Sequence, residues 1–168
     1  MTETANRTEP ISLLNKEGKY LTFALGQQEY GLEILKVREI IGYMDITTVP
    51  RTPHYVKGVI NLRGQVIPVV DLRAKFSMDS VDITDQTCII VVEIDQNRQT
   101  FSTGIVVDRV QEVQDIPGSD IEEAPQLGSA MDTNYILGMG KINDTVKILL
   151  DIDKVLECDN LEEMNTLP

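Results

Sequence analysis

The sequence predicts an all-β protein made of two related halves, and three observations carry that prediction. Hydrophobic residues make up 42% of the 168, aromatic residues only 5%, and Trp is absent, so Val, Ile and Leu must fill the interior. Side chains of that kind suit the pleated surface of a strand. Short apolar runs recur at close spacing between turn residues, the pattern of sandwiches and barrels rather than of parallel sheets. Finally, the stretch Tyr55–Arg73 (YVKGVINLRGQVIPVVDLR) returns eighty positions later as Tyr135–Asp153 (YILGMGKINDTVKILLDID). An ungapped overlay pairs Tyr55 with Tyr135, Gly58 with Gly138, Val66 with Val146 and Asp71 with Asp151. A second echo matches GLEILKVREI at Gly31–Ile40 with GIVVDRVQEV at Gly104–Val113, aligning the glycines, Val37 with Val110 and Glu39 with Glu112. Two copies are too few for a solenoid, so the chain reads as a duplication.

Taken in order, residues 1–16 are polar and read as a flexible tail. Tyr20–Leu25 is the first strand, 26–29 turn the chain, and Tyr30–Glu33 begins the second. The span 34–41 fits a short helix or a strand. As a strand it puts Val37, Glu39 and Ile41 on one face. Residues 42–49 continue extended, Pro50 and Pro53 punctuate a loop, and 54–57 fit one helical turn.

Val59–Val70 then forms a hairpin about Arg63-Gly64, because glycine tolerates the positive φ of a two-residue turn. Pro68 in its second strand cannot donate a ladder hydrogen bond, which predicts a sheet edge or a bulge there. Asp71 suits the N-cap of a short helix over 72–76.

The acidic connector 77–86 lies in the seam between the halves, placed near 65–86. Thr87–Ile94 is a strong strand, 95–98 a turn, and 100–113 a strand broken at Gly104. Residues 115–133 read as irregular loop. The second hairpin turns at Asn143-Asp144, and Asp151 or Asp153 caps a last helix through Leu156. Residues 158–168 form an acidic tail, leaving 17–157 as one domain of two halves; whether strands cross between them is open.

A formal net charge of −12 with no basic patch opposes binding to nucleic acid or anionic lipid, which rests on neutralising phosphates. No apolar run approaches the ~18 residues of a membrane helix. MTETANRTEP lacks the apolar segment of a secretory signal. Cys88 and Cys158 form no CxxC or Cys/His cluster, so neither zinc nor a disulfide framework is expected and a reducing cytoplasm suits the chain. Catalysis is not expected either. The one histidine, His54, stands in a loop without a motif partner, no phosphate-binding loop is present, and the many carboxylates lie in loops and caps. No cofactor follows. A small carboxylate enzyme is the enzymatic alternative, and no motif supports it.

Arg63 is the sharpest binding candidate. The equivalent slot in the second hairpin holds Asn143, which tolerates left-handed backbone better than arginine does. Turn geometry therefore does not select arginine at 63, whereas interfaces favour its planar, weakly hydrated cation. Val37 and Glu39, if they share an outward face with Ile41, form a second candidate, an apolar patch carrying one charge.

GLEILKVREI followed by KGVINLRGQVIPVVDLR closely resembles the CheW family of bacterial chemotaxis coupling proteins, and the likeness runs from about Tyr20 to about Leu156. The resemblance implies two five-stranded SH3-like barrels packed together, with short helices after the hairpins. It implies a non-catalytic cytoplasmic adaptor between the tips of membrane chemoreceptors and the regulatory domain of the histidine kinase CheA, or the same coupling in a pathway other than motility. Through the intact NLRG motif and the neighbouring strand, it places receptor contacts at Val37, Glu39, Gly58, Asn61, Arg63 and Gly64. Kinase contacts fall at Glu39, Ile41, Gly42 and Tyr43.

Overall fold

The computed structural model describes residues 16–125 and 133–157. Residues 1–15 and 158–168 of the expected tails, Cys158 among them, and residues 126–132 of the expected loop lie outside the described residues. Among the described residues, eleven strands alternate with little helix: β1 (Gly18–Leu25), β2 (Gln28–Glu33), β3 (Val37–Gly42), β4 (Val56–Leu62), β5 (Gln65–Asp71), β6 (Cys88–Gln96), β7 (Gln99–Val107), β8 (Arg109–Ile116), β9 (Ile121–Glu122), β10 (Ile136–Ile142) and β11 (Thr145–Leu150). Helix α1 (Leu72–Lys75) follows β5 and α2 (Ile152–Val155) follows β11. The Asp71 carboxylate accepts the Arg73 N–H at 3.0 Å, and that of Asp151 accepts the Lys154 N–H at 3.3 Å. Each aspartate thus takes up an amide proton that the first helical turn leaves free.

Two sheets result, with strand orders β3-β6-β7-β5-β4 and β8-β1-β2-β11-β10-β9. They form the two packed β subdomains expected, though the second has six strands rather than five because the two-residue β9 adds to its β10 edge. Their membership does not follow the sequence halves. The hairpin β1–β2 lies in the second sheet between β8 and β11, while β6–β7 lies in the first between β3 and β5. Each half therefore lends one hairpin to the other. The duplication sets the register: Val69 pairs with Gly104 in the first sheet as Leu149 pairs with Gly31 in the second. A Cβ on Gly104 would stand 2.7 Å from the Ile89 side chain, and one on Gly31 would stand 2.9 Å from Leu149. Gly104 thus serves close packing inside an unbroken β7 rather than ending a strand as its position in the sequence suggested.

The lent hairpins bury both of their faces. Along β1, Tyr20 joins a cluster inside the second barrel with Ile116, Ile121 and Leu149, while Leu21, Phe23 and Leu25 face the other barrel. Along β6, Ile89 and Val91 lie inside the first barrel with Ile60, Ile67 and Val69, while Ile90, Val92 and Ile94 face the second. The largest cluster therefore sits between the barrels. At about 1.5–3 kcal/mol for each fully buried Leu, Ile or Phe, it makes the pair one cooperative body.

Local expectations are corrected at four places. Residues 26–29 hold a tight turn of only Gly26-Gln27, with β2 already running at Gln28. Residues 34–36 form a 3-10 turn before β3, which resolves the helix-or-strand ambiguity by dividing the span. Residues 54–57 form no helix; Val56 donates to Pro53 O at 3.0 Å and opens β4. Pro68 lies in an inner strand. Both backbone groups of its β4 partner Val59 bond to Thr47, and the β5–β7 ladder begins only at Val69, so nothing calls for a proline N–H.

The chain crosses between sheets twice, at residues 34–36 and at Asp108, and charges pin both crossings. Arg73 of α1 grips Asp108 with two bonds, Nε to Oδ1 at 2.9 Å and Nη2 to Oδ2 at 2.7 Å, and Oδ2 also accepts the Gly26 N–H at 2.7 Å. At the other crossing, Lys36 Nζ lies 2.7 Å from Asp153 Oδ2 and 3.1 Å from Asp95 Oδ2, and Asp153 Oδ1 accepts the Asp95 N–H at 3.0 Å. Arg73 and Asp153 hold the same place in their helices under the eighty-residue overlay. One member of each latch is thus pseudo-equivalent with its charge exchanged, while the partners are not, since the second overlay sets Asp108 against Leu35 and Lys36 against Arg109.

Candidate functional site

The β4–β5 turn consists of Arg63 at φ 52° and Gly64 at φ 87°, the paired positive angles of a type I′ hairpin. Its counterpart in the second half has Asn143 at 46° and Asp144 at 65°. The Arg63 side chain projects two-thirds exposed, and its Nη2 pairs with Glu39 Oε2 of β3. The Glu39 hydrogen bond and charge hold the guanidinium protonated more firmly than usual.

Because β3 and β4 are opposite edges of the first sheet, this ion pair spans the gap where the barrel closes. The Thr47–Val59 bridge, with two backbone bonds of 2.9 Å, fastens the same gap. Under the overlays, Glu39 corresponds to Glu112 and Arg63 to Asn143. The second barrel has no arginine in that slot, so the pair belongs to the first barrel alone.

Other candidates fall around this closure in distinct roles. Asn61 is exposed on β4, and its Oδ1 accepts the Gly64 N–H at 2.8 Å. Gly58, at φ 146°, is buried, and a Cβ there would meet Thr47 O at 2.0 Å. Its position is therefore set by the closing strand pressed against it. Gly64 has open space around it and owes its glycine to the turn angle.

The expected common face of Val37, Glu39 and Ile41 is split. A register shift between Val37 and Glu39 leaves Val37 opposite Val92 and packed on the cluster between the barrels. Ile41 lies opposite Ile89 and packs on the interior of the first barrel, as Tyr43 does. Burial still alternates along β3, with 37, 39 and 41 half-buried and 38, 40 and 42 exposed; what the bulge separates is the cluster each apolar side chain reaches. Gly42 ends β3 opposite Cys88 with open space before it. Arg63, Asn61, Gly64 and Glu39 thus share one rim of the first barrel. Ile41, Gly42 and Tyr43 continue from Glu39 along and beyond the β3 edge, and Val37 stands apart.

Sequence reasoning missed two neighbours. Val66, 64% exposed, pairs with Asn61 and sets an apolar side chain beside the charged turn. Arg38 donates to Ser102 Oγ at 2.7 Å and lies 3.5 Å from Glu93 on the outer side of β3. Val66 could have been found from its pairing with Val146 in the overlay, since both stand one place after the flank of a turn. Nothing in the local sequence marks Arg38.

Among the described residues, no group of three or more His, Cys, Asp or Glu is disposed to hold a metal ion. No described helix is long and apolar enough to cross a membrane. Burial pushes the Cys88 thiol up, away from the thiolate form that nucleophilic chemistry needs.

Fold and site together define a module of two packed β-barrels, the first carrying an exposed arginine at the rim where its sheet closes. Residues 19–159 match the CheW-like domain, and the chain belongs to the CheW family. It is 39% identical to the chemotaxis protein CheW of Klebsiella aerogenes over 85% of this chain and 84% of that one. It is 36% identical to CheW of Helicobacter pylori over 84% of this chain and 82% of the other. Among solved structures it resembles the scaffolding protein TtCheW of Thermoanaerobacter tengcongensis, with a TM-score of 0.76 at 34% identity, covering 86% of this chain and 95% of that one. The chain is accordingly a chemotaxis scaffold and not an enzyme.

Proposed function

We propose that this chain couples the cytoplasmic tips of chemoreceptors to the regulatory domain of the histidine kinase CheA. On this reading it works in the cytoplasm at membrane-bound receptor arrays, contacting neither nucleic acid nor lipid. The carrying observation is Arg63: an exposed arginine in a left-handed turn position, paired with Glu39 across the barrel closure and without a counterpart in the second half. Exposed Arg51 and Arg98 take the left-handed region as well, so what supports the choice of Arg63 is its ion pair across the closure and not the backbone angle alone.

Receptor contact centres on the rim made by Asn61, Arg63, Gly64 and Glu39, with Val37 at the inter-barrel side. Gly58 holds the rim in shape. The kinase regulatory domain takes the β3 edge and the segment after it, through Glu39, Ile41, Gly42 and Tyr43. The transmitted signal is a bias on a two-state assembly and needs no chemistry from this chain.

The test is co-sedimentation of the wild type and Arg63→Ala with receptor-containing membranes, alongside capture on immobilised kinase regulatory domain. Arg63→Ala should keep the wild-type circular dichroism spectrum, lose receptor association and retain the kinase. A variant that keeps both partners would remove Arg63 from the receptor surface.

A further inference from the structure

Among the described residues, four hairpins turn through two residues: Gly26-Gln27, Arg63-Gly64, Asn97-Arg98 and Asn143-Asp144. All four place a positive φ at the first turn residue, between 46° and 62°. In three of them that residue is Gly or Asn, which enter the left-handed region readily. In the fourth it is Arg63, whose Cβ disfavours the region, as those of Arg98 and Asp144 do at the second place of their own turns. Only this turn receives a side-chain acceptor from two residues upstream. Asn61 Oδ1 takes the Gly64 N–H at 2.8 Å, whereas the corresponding Ala24 has no acceptor, Asp95 turns to Lys36 and Thr100, and Lys141 pairs with Glu122.

We propose that Asn61 is a positioning residue for Arg63: its amide oxygen fixes the turn and so holds the arginine in the left-handed conformation from which it is presented at the barrel rim. The binding consequence rests on the receptor reading given above; the turn consequence does not. Asn61 bonds the amide immediately after Arg63, so the peptide that sets the arginine's ψ is the one it restrains. Glu39 restrains the other end of the residue through the guanidinium. Two weak restraints at opposite ends define one presented orientation, and neither alone fixes both backbone and side chain.

The experiment is NMR on the full chain with Asn61→Ala and Asn61→Asp, Asp keeping a side-chain acceptor at the same reach. Solvent exchange of the Gly64 amide and the three-bond HN–Hα coupling of Arg63 are read in each. Asn61→Ala should speed Gly64 exchange about fivefold to tenfold, the factor a single hydrogen bond of ordinary net strength carries, and average the Arg63 coupling. Asn61→Asp should restore both. In an Arg63→Gly background, where the turn residue has no Cβ to strain, Asn61→Ala should change thermal stability far less than in the wild type. Unchanged Gly64 exchange and Arg63 coupling in Asn61→Ala, or no rescue by Asp, would overturn the proposal.

Receptor co-sedimentation of the same variants separates the two claims. If Arg63→Ala loses receptor while Asn61→Ala, its turn loosened, keeps full association, the positioning role is overturned. If Arg63→Ala itself keeps association, the receptor reading fails and the turn assignment stands on the NMR result.

Discussion

Arg63 occupies a backbone position that suits the asparagine of the second half better, and it faces a glutamate on the far edge of its own sheet. The pair is exposed, so screening by salt should weaken it. Glu39→Gln is therefore expected to leave the barrel folded and to free the arginine, detectable as faster guanidinium exchange in NMR, with the difference from wild type shrinking as salt rises. Gly58 behaves oppositely. A methyl group there meets Thr47 O at 2.0 Å with φ at 146°, so clash and backbone strain coincide. Gly58→Ala should cost about 3 kcal/mol or more in urea denaturation, and a loss of receptor binding in that variant would report unfolding of the closure rather than a lost contact.

At the scale of elements, the helix caps give the plainest expectation. Asp71→Ala removes the acceptor of the Arg73 N–H and should destabilise by about 1 kcal/mol in the same assay. The hairpins, the two-residue turns at 63–64 and 143–144 and the cap at Asp71 were legible because each depends on residues within a few positions of one another, whereas the turns at 26–27 and 97–98 were read two residues too long. The helical turn expected at 54–57 failed because a bond from Val56 back to Pro53 starts the strand early. Along 37–41 the alternation was legible, with 37, 39 and 41 half-buried and 38 and 40 exposed, whereas the β-bulge between Val37 and Glu39 has no fixed residue signature. Alternation alone could not show that Val37 and Ile41 pack on different clusters.

For the whole molecule, the duplication was visible and the lending of hairpins was not. Matching residues eighty positions apart shows that two halves share a plan, yet says nothing about which half's β-hairpin completes which sheet, since both faces of either hairpin are apolar enough to serve. The latches at the two crossings were legible in part. The overlay sets Arg73 against Asp153, but their partners Asp108 and Lys36 are found only in space.

The Arg73 hydrogen bonds hold the Asp108 carboxyl below its ordinary value of 3.8 against the opposing pull of burial. A depressed folded value stabilises fully above the unfolded value and is lost as pH falls through the folded one. Asp108→Asn should thus cost about 2 kcal/mol near neutrality. Its deficit relative to wild type should close below about pH 4, where the wild type loses the same contribution.

The central claim is that this chain physically joins a receptor to a kinase. The most direct measurement is sedimentation of CheA with receptor-bearing membranes as the chain is titrated in, with kinase activity read in the pellet. The kinase should pellet poorly alone, its recruitment should rise with added wild-type chain, and Arg63→Ala should not raise it. A kinase whose sedimentation and activity are indifferent to the wild-type chain, with receptor and kinase drawn from the same cell, would contradict it.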